Sequence, residues 1–188
     1  MRIINMPWKS FEAFAYMVKA SLLMGKIRMQ IKDGYLYFVD DTFFEKICDP
    51  YLKINYDNTS RPHYVAFLDT KTSLFWLVPC SSKVWKYEKI IQSKQENRKP
   101  TDSIKIVTIQ NKKCVLLFQD MFPICKKYIS MQYIRGGQEV YVADPKTVIE
   151  LEKTAKKIVN LLRRGIRFTP TQPNVILIEK IMLNETTT

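Results

Sequence analysis

The sequence has one histidine, His63, and four cysteines that lie far apart, with no C-x-x-C pair. A structural zinc site needs four clustered cysteine or histidine ligands, and the sequence contains no such cluster. Disulfides are not expected either, because reduced thiols in or beside apolar runs act as small core residues. The cysteine usage therefore predicts a reducing, cytoplasmic location and no metal site.

Glycine is also scarce, with five in 188 residues. The chain has no G-x-x-x-x-G-K-[ST] loop, no G-x-G-x-x-G turn and no G-x-S-x-G elbow. A two-metal nuclease needs several converging carboxylates, but the acidic residues are scattered, and Asp40-Asp41 is better explained as a helix start. These absences exclude the common nucleotide-dependent and serine-hydrolase classes, and we expect no cofactor.

No long hydrophobic run is present. The stretch Ser10–Met24 has apolar residues at helical spacing, but Glu12 and Lys19 interrupt it. It is too short and too polar for a membrane span, and it lacks the apolar centre of a secretory signal. We predict an appended helix in residues 1–30, a separate domain in residues 31–188, and no membrane partner.

Positive charge, by contrast, is abundant: 30 lysines and arginines face 18 acidic residues, for a net charge of +12. Such an excess favours a polyanionic partner, either nucleic acid or an anionic membrane surface. Hydrophobic residues make up 46% of the chain, which is ordinary for a globular domain with a sizeable core. Many basic proteins bind no polyanion specifically, so net charge alone does not identify a polyanion-binding protein. The positions of the basic residues are needed as well.

Short strands dominate the predicted secondary structure. A helical turn follows Asp40-Asp41, residues 83–99 are helical or mobile, and a long helix begins at Asp144-Pro145 and ends before Gly165. These elements predict a small α+β domain with a curled, mostly antiparallel sheet and flanking helices, including the long C-terminal one. The predicted strands are Tyr35–Val39, His63–Leu68, Leu74–Val78, Ile104–Ile109, Cys114–Phe118 and Val175–Ile178.

The loop after Val78-Pro79 is the most informative segment. An apolar strand runs into the proline and then delivers Ser81, Ser82 and Lys83 to one loop. Strand ends are rigid, so such a loop holds its side chains in a reproducible place. Two hydroxyls beside an ammonium suit a phosphate site. A serine turn after a core strand explains the same residues, and both interpretations stay open at this point.

A second constellation is Arg61-Pro62-His63-Tyr64, where the proline fixes the start of a strand. If the strands on either side of residues 69–73 pair as a hairpin, residue 63 lies opposite residue 79. This register places Arg61 and His63 beside the serine loop. A purely structural role remains the alternative for a single histidine.

These residue types permit a metal-free cleavage of RNA, because RNA carries its own nucleophile, the 2′-hydroxyl. The protein has to assist removal of the 2′-proton, stabilise the phosphorane charge and protonate the leaving 5′-oxygen. Single-stranded RNA also needs aromatic platforms and cationic contacts. The aromatic candidates are Tyr51, Tyr64, Trp85 and Tyr87. The basic candidates are Lys86, Lys156, Lys157, Arg163 and Arg164, with a solvated helix face as the alternative for the last four.

An ordered series of short motifs spans residues 33–180. Its members include Gly34-Tyr35-Leu36-Tyr37-Phe38, Asp49-Pro50-Tyr51-Leu52, Arg61-Pro62, Leu77-Val78-Pro79-x-Ser81-Ser82-Lys83, Gln119-x-Met121-Phe122-Pro123-Ile124 and Arg164-Gly165-Ile166. In order and spacing the series resembles the endoribonuclease toxins of type III toxin–antitoxin systems. Within the ToxN/AbiQ superfamily it is most similar to the CptN branch.

The resemblance implies a compact PemK/MazF-like fold with an SH3-like barrel. It implies a metal-independent endoribonuclease that cuts single-stranded RNA to 2′,3′-cyclic phosphate and 5′-hydroxyl ends, with a role in phage resistance. The implied partners are an antitoxin RNA pseudoknot, held with the toxin in a closed assembly and cut by it, and cellular mRNA as substrate. The essential hydroxyl of the family maps onto Ser82, with Ser81 before it, and the lysine that follows it maps onto Lys83.

ToxN-type toxins carry a functional lysine just after the Arg-Pro pair, where this chain has His63. A histidine there can donate to a phosphate or transfer a proton near neutral pH. We therefore expect Ser82 to orient the 2′-hydroxyl or the phosphate, Lys83 to stabilise the phosphorane, and His63 to transfer a proton. Arg61 and Ser81 are expected phosphate donors. The alternatives are a non-catalytic RNA-binding module and a protein-interaction domain whose charge serves solubility.

Overall fold

The computed structural model describes residues 29–53, 55 and 61–186, most of which lie in a compact unit that begins at Ile31. The predicted helix in Ser10–Met24 lies outside the described residues. The division of the chain into an appended helix and a toxin domain stays a prediction.

The described part of the chain contains nine strands, and every pair of neighbouring strands is antiparallel. Seven of them form one sheet in the order β4-β5-β3-β2-β1-β7, with β6 paired to β3, whereas β8 and β9 form a separate ribbon. The strands are β1 (Leu36–Val39), β2 (His63–Asp69), β3 (Leu74–Ser81), β4 (Ile104–Ile109), β5 (Lys112–Leu117), β6 (Phe122–Ile124), β7 (Ile129–Gln132), β8 (Ile134–Arg135) and β9 (Gln138–Glu139).

Four α-helices accompany the sheet within the described residues. They are α1 (Asp41–Ile47), α2 (Val84–Glu96), α3 (Pro145–Arg163) and α4 (Val175–Thr186). The predicted α+β class with a mostly antiparallel sheet is therefore confirmed. The main core lies between the sheet and α3, where Trp76 packs in one cluster with Leu151 and Ile158.

The hairpin of β2 and β3 has the predicted register, with His63 opposite Pro79. Strand β3 continues three residues beyond the predicted end, from Val78 to Ser81. On the side away from β2, strand β3 pairs with β6 at Phe75–Leu77 and with β5 at Cys80–Ser81. Pro79 lies between these two pairings, so its missing N–H interrupts neither ladder.

The predicted helix after Asp144-Pro145 is confirmed as α3. The Asp144 side chain accepts hydrogen bonds from the backbone N–H groups of Lys146 (3.3 Å) and Thr147 (2.9 Å). Gly165, just past the end, has a φ of +80°, a conformation that glycine adopts without strain. Both helix ends therefore follow from local sequence chemistry.

The predicted final strand at Val175–Ile178 is wrong, because these residues begin α4. Val175, Ile178 and Met182 are buried and recur at helical spacing, so one face of the helix packs against the core. Asn174 caps the helix by accepting a hydrogen bond from the Leu177 N–H at 3.2 Å. A four-residue apolar run does not distinguish a strand from a buried helix face.

We predict that Ile158→Ala lowers the free energy of unfolding by about 2–5 kcal/mol, because Ile158 is 1% exposed and truncation leaves a cavity. Ile149→Ala on the same helix is the matched control. Its side chain is 51% exposed, so the expected loss is within about 0.5 kcal/mol. Urea unfolding of both variants measures the difference, and equal losses would contradict the described packing of α3.

Candidate active site

The serine loop joins the end of β3 to the start of α2 and is held by its own hydrogen bonds. The Ser81 hydroxyl oxygen accepts a hydrogen bond from the Lys83 N–H at 3.2 Å. The Val84 N–H donates to the Ser82 carbonyl oxygen at 2.9 Å. Ser82 and Lys83 are exposed to solvent, whereas Ser81 is half-buried. The loop therefore presents the Ser82 hydroxyl and the Lys83 ammonium from a fixed backbone.

The start of α2 is electrostatically unusual. Lys83 is the N-cap residue and makes no capping side-chain hydrogen bond, and the first turn contains no acidic residue. The backbone N–H groups at a helix start carry partial positive charge, so a lysine there is unfavourable by itself. An anion beside the helix start would relieve this repulsion. The local chemistry therefore suits a phosphate.

A cleft of about 440 Å³ opens beside the serine loop. Arg61, Ser81, Ser82 and Lys83 all line it, so the structure brings together four of the residues that the hairpin register placed near one another. The Arg61 guanidinium donates to the Cys80 carbonyl oxygen at 3.4 Å, which ties it to the end of β3. The floor is apolar and includes Leu36, Cys80, Ile109, Cys114 and Val140.

A second wall, made of residues outside the serine loop, was not predicted from the sequence. It consists of Lys112 and Lys113 at the start of β5, together with Tyr133 and Arg135 from the segment around β8. These residues are far from the serine loop in sequence, and only the tertiary fold brings them to it. The available signal is the Lys112-Lys113 pair between the predicted strands Ile104–Ile109 and Cys114–Phe118, since adjacent lysines in a connection between strands usually face solvent.

Charge in the cleft is strongly one-sided. Five basic residues line it, and no acidic residue of the described chain does so. Lys113 has a carboxylate partner, Glu88, at 3.8 Å. The other basic residues of the lining have no carboxylate partner among the described residues. They are Arg61, Lys83, Lys112 and Arg135.

The basic residues predicted to contact RNA from α3 do not line this cleft, and three of them are paired within the protein. Lys156 binds Glu152 at 2.6 Å, and Lys157 binds Asp102 at 2.7 Å. Arg163 pairs with Asp69 at 2.8 Å and with Glu179, and its guanidinium lies 5.5 Å from the centre of the Trp76 ring. Arg164 is exposed just after the helix. The pairing of the first three favours the solvated-face alternative for them.

His63 has the predicted register but not the predicted surroundings. Its side chain is fully buried, and the ring lies 5.4 Å from Phe122 and 6.4 Å from Phe44, measured between ring centres. Neither ring nitrogen has a hydrogen-bond partner among the described residues. Burial, reinforced by the Arg61 charge, lowers the pKa of His63 to about 3. The imidazole is therefore neutral at pH 7 and does not line the cleft.

The aromatic candidates differ in accessibility. Tyr64 is fully buried in the main core and Tyr87 is buried against β4 and β5, so neither ring is free to stack on a base. Trp85 is 64% exposed on the first turn of α2, with the Lys89 ammonium 5.6 Å from its ring centre. Tyr51 is exposed but lines a different groove. Trp85 is thus the accessible aromatic residue nearest to the serine loop in sequence.

Tyr87 has a different relation to the site. Burial raises the pKa of Tyr87, and its side chain shares a hydrogen bond with Ser81. The Ser81 hydroxyl oxygen in turn accepts a hydrogen bond from the Lys83 N–H. The two contacts hold Ser81 in place from both sides. The neighbouring Lys86 lies over the Tyr87 ring, with its ammonium 5.8 Å from the ring centre, and is itself exposed.

Two kinds of feature are not found within residues 29–53, 55 and 61–186. No group of three or more histidine, cysteine or acidic side chains there is arranged to hold a metal ion. No helix in this part of the chain has the length and apolarity needed to cross a bilayer.

Comparison with known proteins supports the fold. The architecture matches that of AbiQ, described as a lactococcal anti-phage endoribonuclease belonging to the type III toxin–antitoxin system. The TM-score is 0.63 at 10% sequence identity, and the match covers 82% of this chain and 98% of AbiQ. No protein-family model and no curated protein sequence matches. The chain therefore has the AbiQ fold, and a sequence relation to the CptN branch stays a prediction.

We predict that His63 makes folding stability depend on pH. The unfolded chain binds a proton at His63 near pH 6.5, whereas the folded protein does so only near pH 3. Between these values the unfolded state holds more protons, so stability falls as the pH is lowered, by about 1.4 kcal/mol per pH unit from this group. In His63→Leu this contribution is absent. Urea unfolding between pH 4 and 6 measures it, and equal pH slopes in both proteins would contradict a buried neutral imidazole.

Proposed function

We propose that the protein is a type III toxin endoribonuclease that cuts single-stranded RNA in the cleft beside the serine loop. The observation that carries this proposal is the convergence of the exposed Ser82 hydroxyl, the start of α2 and several unpaired cations in one cleft. The AbiQ-like fold and the motif series in residues 33–180 support it from two further directions. An RNA phosphate is the ligand that satisfies this charge distribution.

The proposed reaction is an in-line transfer at one phosphate. The 2′-hydroxyl of the RNA loses its proton as its oxygen attacks the adjacent phosphorus, the bond from phosphorus to the 5′-oxygen breaks, and the 5′-oxygen takes up a proton, so one proton is released and one is taken up. The products are a 2′,3′-cyclic phosphate and a 5′-hydroxyl. Ser82 hydrogen-bonds the reacting group, and Lys83 and Arg61 stabilise the charge that develops on the phosphorane. No step consumes water or a cofactor.

In this proposal, side-chain cations supply the charge stabilisation that a metal ion supplies in other nucleases. Lys83 and Arg61 lie on the same wall as Ser82 and have no carboxylate partner among the described residues. Their charge is thus available for an incoming phosphate. Ser81, held by Tyr87 and by the Lys83 N–H, acts as a positioning group rather than a direct phosphate donor.

The position of His63 favours packing over direct proton transfer. A ring without solvent contact and with a pKa near 3 carries no proton to give at neutral pH. His63 aligns β2 with Pro79 and so fixes where Arg61 enters the cleft. We therefore propose that catalysis depends on Ser82 more strongly than on His63.

The biological setting is part of the same proposal. It comprises a cytoplasmic toxin of the CptN branch with a PemK/MazF-like, SH3-type barrel. An antitoxin RNA pseudoknot, cut by the toxin itself, is held with it in a closed assembly. Cellular mRNA is the substrate, and phage resistance is the outcome. The support is the fold shared with AbiQ and the resemblance of the motif series to type III toxins.

We predict that Ser82→Ala lowers the rate of RNA cleavage at least 10²–10³-fold, roughly the effect of removing one transition-state donor. RNA binding should persist because the cations of the cleft remain. Ser93→Ala, at an exposed serine farther along α2, is the matched control and should cleave normally. The assay uses purified protein in EDTA, with end groups mapped on the products.

The result also separates the alternative function. Cyclic 2′,3′-phosphate ends that form in EDTA and depend on Ser82 support the toxin. Salt-dependent binding with fully intact RNA would instead identify a non-catalytic RNA-binding module. Cleavage that is unaffected by Ser82→Ala would reject the assignment of this serine.

A further inference from the structure

The second wall of the cleft, which consists of Lys112, Lys113, Tyr133 and Arg135, is built around Arg135. Its Nε donates to the Gln110 side-chain oxygen at 3.1 Å, and one terminal nitrogen, Nη2, donates to the carbonyl oxygens of Ile109 (3.1 Å) and Gln110 (3.2 Å). These three hydrogen bonds fix the guanidinium on the turn between β4 and β5. Arg135 is half-buried and lines the cleft, so its charge is held at one place in the wall.

The same turn positions Lys112. Gln110 and Asn111 both have positive φ values, 47° and 61°, as in a tight two-residue hairpin turn. Lys112 follows directly as the first residue of β5. The Gln110 side chain also donates to the Glu139 carbonyl oxygen at 3.0 Å, so the turn is tied to the β8–β9 ribbon as well. The second wall is therefore braced on two sides and does not rely on a free loop.

The charge of this wall has no internal compensation. Neither Arg135 nor Lys112 pairs with a carboxylate of the described residues, whereas the neighbouring Lys113 pairs with Glu88. A half-buried guanidinium that makes hydrogen bonds only to neutral oxygens still lacks a counter-charge. An anion in the cleft would supply it.

We propose that Arg135 and Lys112 form a second phosphate site, which binds a phosphate that flanks the scissile one. This inference rests on the proposed function, since it places the same RNA strand across the cleft. The scissile phosphate lies at the Ser82 wall and the flanking phosphate at the Arg135 wall. The nucleoside between them covers the apolar floor at Leu36 and Val140.

The hydrogen bonds of Arg135 argue for a phosphate rather than a base. Bidentate recognition of guanine uses two nitrogens of the guanidinium fork. In Arg135 both Nε and Nη2 already donate to the protein, which leaves Nη1 for a ligand. One free nitrogen, together with the Lys112 ammonium in the same cleft lining, suits the oxygens of a phosphate, a contact that positions RNA without reading its sequence.

The dimensions of the cleft agree with a single strand. A volume of about 440 Å³ is at the lower end of the range for small-ligand sites, roughly 300–1,000 Å³. A space of this size accommodates a nucleotide. In the proposal, the two phosphate sites hold one linkage of single-stranded RNA across the apolar floor.

Binding measured as a function of salt tests this site independently of catalysis. The ligand is a fluorescent single-stranded RNA with 2′-O-methyl groups, which lacks the attacking hydroxyl and remains intact. We expect Arg135→Gln and Lys112→Gln each to reduce the slope of log K against log salt by about 0.7, the value for one contact to a single strand. Between 50 and 200 mM salt, each variant should then lose about 2.6-fold less affinity than the wild type.

Lys153→Gln is the matched control, because it removes one charge from an exposed position on α3 and should leave the slope unchanged. Lys112→Gln is not expected to disturb folding, because Lys112 is exposed. It also takes part in none of the hydrogen bonds that hold the Arg135 and Gln110 side chains. Unchanged slopes for Lys112→Gln and Arg135→Gln would overturn the proposal. A loss confined to RNAs that contain guanine would overturn it too, since Arg135 would then read a base.

Failure of this site and failure of the proposed function are distinguishable. If Ser82→Ala abolishes cleavage of ordinary RNA but the salt slopes do not change, the nuclease stands and the second phosphate site is wrong. If the slopes change but no RNA is ever cut, the two-walled cleft binds RNA without catalysis.

Discussion

The pairing of β2 with β3 is the constraint on which the site depends. It sets His63 opposite Pro79 and so brings Arg61 to the end of β3, where the serine loop begins. Pro79 is tolerated in a central strand because it lies where the outer neighbour of β3 changes from β6 to β5. A one-residue slip would turn the buried His63 ring outward and separate Arg61 from Ser82.

Charge pairing distinguishes the cleft from the face of α3 that carries Lys156, Lys157 and Arg163. On α3, Lys156, Lys157 and Arg163 are each bound to a carboxylate, and Arg163 also covers Trp76. In the cleft, most basic side chains lack such a partner among the described residues. Mutual repulsion of these cations destabilises the free protein, and an RNA backbone that enters the cleft removes it. The unpaired charge is therefore better explained by binding than by solubility.

Sequence reasoning succeeded where local chemistry determines structure. The capping residues of α3 predicted a helix, and the length of the β2–β3 turn predicted the register of these two strands. Both predictions are confirmed. Sequence reasoning failed where tertiary packing determines the secondary structure or the burial of a residue. The run at Val175–Ile178 is short enough to suit a strand or a helix, and the burial of Tyr64 and the surroundings of His63 depend on distant elements. Arg135 reaches the site through contacts with Gln110, across a separation that no local pattern encodes.

Mapping the bound RNA on the protein tests whether the RNA backbone binds in the cleft beside the serine loop. Backbone amide NMR signals would be followed while a 2′-O-methyl RNA trinucleotide, which cannot be cleaved, is titrated into the protein. The largest shifts are expected at Ser82, Lys83 and Val84, because a phosphate bound beside this loop changes the electrostatic environment of its backbone N–H groups. Shifts confined to the α3 surface around Lys156 and Lys157, with the serine loop unchanged, would contradict it.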